Sequence, residues 1–254
     1  MRNDKLTEVQ IWRWKITDHL IPITMAFTVG NEFRKSLFNH ARNKGLVKVP
    51  DDFHHSQKES SHQHAHFIPE DTNKSGFIDQ IILYKPTGIE QCIFEILPSF
   101  KFLKLNKQKI PISPIWMGTT DHTSAFGPSK TWVSQTPYIT PWHCLTKQNK
   151  IRKSCEPEEQ LIKEIILRDL PTIETIKFKP ANWIGGLEAE MIFASQFENR
   201  YQKNKPKNDA VGSYLNITFK EPIQGPLSLG FGSHFGLGYL EPTENIYMET
   251  AVIN

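Results

Sequence analysis

Three histidines lie at alternate positions in the run Ser61-His62-Gln63-His64-Ala65-His66-Phe67, and five of the chain's ten histidines fall between His54 and His66. An imidazole with an ordinary pKa of about 6.5 exists in both protonation states near neutral pH, so a pair can serve as general base and general acid in one reaction. The same side chains are common metal ligands, and HxHxH spacing fits a metal hydrolase. A solvated polar strand end is the third reading. If residues 65–68 form a strand, His64 and His66 share one face, and Ala65 and Phe67 turn to the core.

A second constellation is the glycine-rich run of residues 225–238, which holds Gly225, Gly230, Gly232, His234, Gly236 and Gly238. Closely spaced glycines let a backbone approach a phosphodiester and turn N–H groups toward it. The spacing is not that of a dinucleotide fingerprint, and the GK[ST] of a P-loop is absent. The structural alternative is a tight crossing of backbones at a domain interface. Asp71, Asn73, Ser75, Gly76 and Asp79 match the first positions of a calcium loop, but the twelfth is Ile82, and the flanks read as strands. A tight glycine turn accounts for them better.

Cations beside aromatic rings suit single-stranded nucleic acid, where rings stack on bases and charges meet phosphates. Arg34 and Lys35 fall on an expected helix. Lys130, His143, Lys147, Lys150, Arg152 and Lys153 lie near Trp132, Tyr138 and Trp142 in sequence. Each alone is as readily a solvated charge or a core ring. No nucleophile elbow is present.

The elements that must position these residues follow from periodicity. Residues 8–16 alternate as a strand. A helix follows Pro22, with Phe27, Phe33, Leu37 and Phe38 at helical spacing and Gly45 as its stop. Residues 50–61 read as a loop. Residues 65–69 and 77–84 read as strands joined by the turn at 71–76. A helix is expected over 90–100 and a strand over 109–117. After a linker at 118–130 come a strand at 131–139 and a helix at 156–170, with Ser154 as N-cap and Leu161, Ile165 and Ile166 as its apolar stripe. Strands at 173–178 and 213–219 flank a Lys/Asn run at 199–209, and a last strand follows the glycines. The fold class is α+β: two tandem ferredoxin-like (RRM-like) βαββαβ lobes, residues 1–118 and 131–254.

Composition fits a soluble, cytoplasmic protein. The 254 residues are 38 % hydrophobic and 22 % charged, with a formal charge of +3, enough for a core and too apolar for a wholly disordered chain. Cys92, Cys144 and Cys155 form no CxxC pair, which points to a reducing compartment and away from a cysteine zinc site. The polar N-terminus carries no signal peptide, and no apolar run reaches membrane-spanning length.

Several segments together resemble the repeat-associated (RAMP) superfamily of CRISPR systems. They are Leu20-Ile21-Pro22-Ile23-Thr24 with Phe33-Arg34-Lys35-Ser36-Leu37, residues 62–69 with Gly76-Phe77-Ile78-Asp79, Trp132-Val133-Ser134-Gln135-Thr136-Pro137-Tyr138, and the glycine run. The chain is most similar to the RNA-processing half of the fused backbone-subunit/processing-nuclease protein of type I-U/I-G systems. It departs from that pattern at Gln80, where the family often has histidine. The fused family also carries a backbone-subunit domain ahead of the matching region, so a stand-alone enzyme is expected here.

The resemblance implies an endoribonuclease that binds CRISPR repeat RNA and makes mature guide RNA by metal-independent attack of a ribose 2′-OH, without a cofactor. His64 and His66 are then the acid/base candidates and His62 a helper. His19 and His40, near the first helix, are alternatives. The glycines and His234 would form an RNA-backbone loop, and Arg34, Lys130, Trp132 and Arg152 would contact RNA. Other Cascade effector subunits are possible partners. Two competing readings are a non-catalytic guide-RNA-binding subunit and a histidine-cluster metal hydrolase.

Overall fold

The structure is a computed structural model that describes residues 6–53, 64–122, 126–142, 155–184, 190–197 and 212–243. The chain divides into two units: Met1–Thr119 with His234–Gly236, and Thr120–Ser233 with Leu237–Asn254.

In the first unit, strand β1 (Ile11–Ile16) leads through a 3-10 turn into helix α1 (Ala26–Asn43). Phe27, Phe33, Leu37 and Ala41 recur at helical spacing and are buried, as the pattern requires. Gly45, at φ +89, ends the helix in the left-handed region that disfavours other residues. Strands β2 (His66–Glu70) and β3 (Gln80–Tyr84) form an antiparallel pair.

The helix expected over 90–100 is a single turn, α2 (Gln91–Phe94), followed by a 3-10 turn at Leu97–Ser99. Pro98 explains the break, because proline has no N–H to bond the Phe94 carbonyl four residues back and carry the α-helix on. A strand absent from the sequence reading follows: β4 (Phe102–Leu105) forms a hairpin with β5 (Gln108–Gly118). Its two loop residues, Asn106 and Lys107, have φ of 49° and 69°, the positive angles of a tight hairpin turn. The sheet order is β2-β3-β1-β5-β4.

In the second unit the strand expected over 131–139 is two: β6 (Ser129–Ser134) and β7 (Tyr138–Ile139), separated at Pro137. Helix α3 (Pro157–Leu167) starts from Glu156 as its N-cap, in a capping box with Glu159, and Ser154 lies outside the described residues. Leu161 and Ile165 enter the core, but Ile166 is 71 % exposed, so the expected stripe is narrower by one residue. Strands β8 (Ile173–Lys179), β9 (Ala181–Ile184), β10 (Glu190–Phe193), β11 (Gly212–Ile223), β12 (Leu227–Ser228) and β13 (Tyr239–Pro242) complete the unit.

The main sheet of this unit runs β12-β13-β6-β11-β7, with β8 also on β11. Trp132, Leu161, Ile165, Leu215, Ile217, Phe219 and Leu240 pack as its core. In the first unit β1 sits between β5 and β3, in the order β5-β1-β3-β2, and in the second β6 sits between β13 and β11, in the order β13-β6-β11-β8. The Lys/Asn run at 199–209 lies outside the described residues. Among the described residues no helix is long and apolar enough to cross a membrane.

Candidate active site

His66 is the first residue of β2 and pairs across the sheet with Tyr84 of β3. His64 precedes it by two, and Ala65 and Phe67 are in the core as alternation requires. The histidines are not on a solvated face, however: His64 is 8 % and His66 6 % exposed, because β2 is buried on both sides. The structure brings a third imidazole to them. His234 lies in a 3-10 turn (Ser233–Phe235), and its ring centroid is 4.2 Å from that of His66 and 5.9 Å from that of His64. Residues 170 apart in sequence thus share one place within the first unit.

The next residue, Phe235, fixes that turn. Its ring meets Phe27 edge-on at 5.6 Å and lies parallel to Phe67 at 6.4 Å. The Arg34 guanidinium sits 5.0 Å from the Phe235 centroid, and its Nη2 donates to Asn31 Oδ1 at 3.2 Å. This close approach depends on Gly30 in α1, where a Cβ would stand 2.5 Å from the Phe67 carbonyl oxygen and 2.7 Å from that of Phe235. Tyr84 completes the group, its ring 5.7 Å from His66. Burial pushes its phenol up to about 12, so it stays neutral wherever imidazole titrates. Three imidazoles, one permanent cation and a neutral phenol make an arrangement able to take up, release and orient protons beside an anion.

The glycine run serves a different purpose from the one expected of most of its members. Gly225, Gly230, Gly236 and Gly238 are buried. The N–H groups of Gly225 and Gly238 donate to the carbonyls of Phe126 and Pro137, at 2.6 Å and 2.9 Å. The Gly230 N–H donates to both Glu164 oxygens at 2.9 Å. These donors are committed inside the protein, so phosphate binding by them is replaced by a structural role. Gly232, half-buried at φ +73, remains on the partly open stretch beside His234. Within the second unit Arg168 anchors the run: its Nη1 donates to the Ser228 carbonyl at 2.7 Å, its Nη2 lies 3.4 Å from Ser233 Oγ, and it is ion-paired with Glu164. Burial outweighs Arg168 and the Gly230 N–H and holds the Glu164 carboxyl above its ordinary value.

The other expected residues fall apart from this group. Trp132 is fully buried and its Nε1–H donates to the Ser129 carbonyl at 2.9 Å, so it is a core ring and not a base-stacking surface. Lys130 is exposed on β6. His62 and Arg152, with His143, Lys147, Lys150 and Lys153, lie outside the described residues. His19 Nδ1 is 3.0 Å from the Thr17 carbonyl oxygen. His40 meets Ser99 Oγ at 2.9 Å, and burial with the nearby Lys44 lowers its pKa.

The calcium-like run is a self-contained turn. Asp71 accepts from the N–H groups of Ser75 and Gly76 at 2.9 Å and 2.7 Å, and Asp79 from Thr72 N–H at 2.9 Å. Among the described residues no group of three His, Cys, Asp or Glu side chains could hold a metal ion.

Tyr84, Phe235, Glu164 and Arg168 were not foreseen. Tyr84 carries a usable signal: counting outward from the turn at Ser75 puts residue 84 opposite 66.

No family model and no curated protein matches the chain. Among solved structures, a CRISPR-associated protein Cas6 aligns at 12 % identity and TM-score 0.45, over 93 % of this chain and 99 % of the other. A RAMP protein described as binding different RNA substrates aligns at 14 % and 0.43, over 93 % and 100 %. A Cas6-related protein from Pyrococcus furiosus aligns at 12 % and 0.43, over 93 % and 99 %.

Proposed function

We propose that the chain is a CRISPR precursor-RNA processing endoribonuclease whose two units are ferredoxin-like lobes in tandem. The observation that carries this reading is the convergence of His64, His66 and His234. The histidine motif and the glycine run, read separately as site candidates in the sequence, meet at one place beside Arg34. In the proposed reaction one imidazole of the His66–His234 pair removes the proton from a ribose 2′-OH. The oxygen attacks the adjacent phosphorus, and the bond to the 5′ oxygen breaks. The other imidazole protonates that leaving oxygen, and a 2′,3′-cyclic phosphate remains. His64 orients His234, and Arg34 offsets the charge that builds on the phosphorane-like transition state. His62 remains a candidate catalytic helper, and Lys130, Arg152 and Gly232 remain candidate RNA contacts. No step calls for a metal or cofactor.

The test is incubation of cognate repeat RNA with the protein in excess chelator. The expected result is one cut with a 2′,3′-cyclic phosphate end. His66→Ala and His234→Ala are each expected to slow cleavage by about 10²- to 10⁴-fold, the usual worth of a positioned acid or base, with RNA affinity kept. A cut that depends on added metal, or full activity in both variants, would sink the proposal.

The deep burial of His64 and His66 favours one second reading, a guide-RNA-binding subunit of an effector complex in which the imidazoles are structural. That reading predicts tight binding, RNA of unchanged length, and loss of folding in the same variants.

A further inference from the structure

The strand that the sequence reading lacked, β4, brings an unusual surface with it. Its hairpin with β5 carries Lys101, Lys104, Lys107 and Lys109, all exposed, and no aspartate or glutamate occurs anywhere in residues 96–120. None of the four lysines forms an ion pair among the described residues. Lys104 and Lys109 face each other directly across the ladder. Like charges in that position destabilise a sheet, so the hairpin keeps an arrangement that its own folding disfavours.

The hairpin is nonetheless well seated. Leu103, Leu105, Ile110 and Ile112 are buried, and the Lys104 N–H donates to Ser36 Oγ of α1 at 2.9 Å. Alternation therefore turns Phe102, Lys104 and Lys109 outward together. Phe102 is 53 % exposed, and Lys109 Nζ is 6.0 Å from its ring centroid.

We propose that this face of the β4–β5 hairpin binds single-stranded RNA, with Phe102 stacking on a base and the lysines meeting successive phosphates. Charge complementarity selects a polyanion, and the exposed ring among the cations selects one with flat bases to stack. A membrane surface or an acidic protein would use the charge but has no base to place on Phe102. The surface concerns binding only, and it stands whether or not the chain cleaves RNA.

The experiment measures binding of a labelled oligouridylate, which is free of repeat sequence and structure, across a salt series. The full chain is compared with Phe102→Ala and with the quadruple variant Lys101→Gln, Lys104→Gln, Lys107→Gln, Lys109→Gln. Each lost phosphate contact should lower the slope of log K against log salt by about 0.7, so the quadruple variant should lose about 3. Phe102→Ala should weaken binding by about tenfold at unchanged slope.

An unchanged slope in the quadruple variant overturns the proposal. So does equal binding by Phe102→Ala, which marks plain anion exchange, and so does absence of oligouridylate binding by the wild type. Circular dichroism of the variants separates unfolding from loss of contact. If either fails to fold, Lys104→Gln with Lys109→Gln, or Phe102→Leu, gives the same reading with about two units of contact or the one ring removed.

Discussion

Gly30 shows how one hydrogen atom sets the site. In the middle of a helix, replacing glycine by alanine ordinarily stabilises by about 1 kcal/mol. Here the added carbon would sit 2.5 Å and 2.7 Å from two carbonyl oxygens, those of Phe67 and Phe235, and backbone cannot swing aside as a side chain can. Gly30→Ala is therefore expected to destabilise by about 1–3 kcal/mol, read by denaturant melts. It should also displace the turn that carries His234, so cleavage should fall more than repeat binding. Higher stability in the variant would refute the close packing. At this scale the sequence was informative for types and silent on partners. The spacing of His64 and His66 showed that they share a face, but not that this face is covered. Trp132 shows the same limit: aromatic residues beside lysines read alike whether the ring stacks on a base or fills a core.

At the scale of elements, α3 holds the glycine run through Glu164 and Arg168. Removing one partner of a buried ion pair leaves the other charged and unmatched, at a cost of about 3–5 kcal/mol. Arg168→Met and Glu164→Leu should each approach that cost, and the double variant should recover most of it, since two apolar side chains need no partner. Additive losses in the cycle would show that the pair does not act as a unit. The carboxyl also sets a pH dependence. Its folded pKa is raised, so the folded state holds the proton more tightly than the unfolded chain does. The linked stability is full below the ordinary carboxylate range and falls as pH rises through the folded value. Glu164→Gln should remove that fall, so the stability of wild type relative to variant should decline as pH rises from the ordinary carboxylate range. Helix α3 was legible from its apolar spacing, but its grip on Gly230 was not, because an i, i+4 Glu–Arg pair ordinarily reads as a solvated face. Likewise β4 was hidden by its lysines, which mask the alternation of Leu103 and Leu105.

For the whole molecule, β1 and α1 of the first unit were readable because β1 alternates and α1 repeats its apolar residues every three or four positions. What periodicity could not supply is the return of residues 234–236 to the first unit, since a short segment beside glycines has no repeat to betray its destination. That return makes a prediction about which part of the protein a lesion weakens. Phe235 is 2 % exposed and packs against Phe27 and Phe67, both of the first unit. Phe235→Ala should cost about 3–5 kcal/mol through the cavity it leaves. Amide hydrogen exchange should show where the loss falls: protection should drop in α1 and β2, which flank the missing ring. It should hold in β6 and β11, whose core of Trp132, Leu215, Ile217 and Phe219 does not include it. Phe235→Leu, which refills most of the volume, should restore most of the protection. Loss confined to β6 and β11 would place the segment with its neighbours in sequence, and the imidazole group built on His234 would lose its foundation.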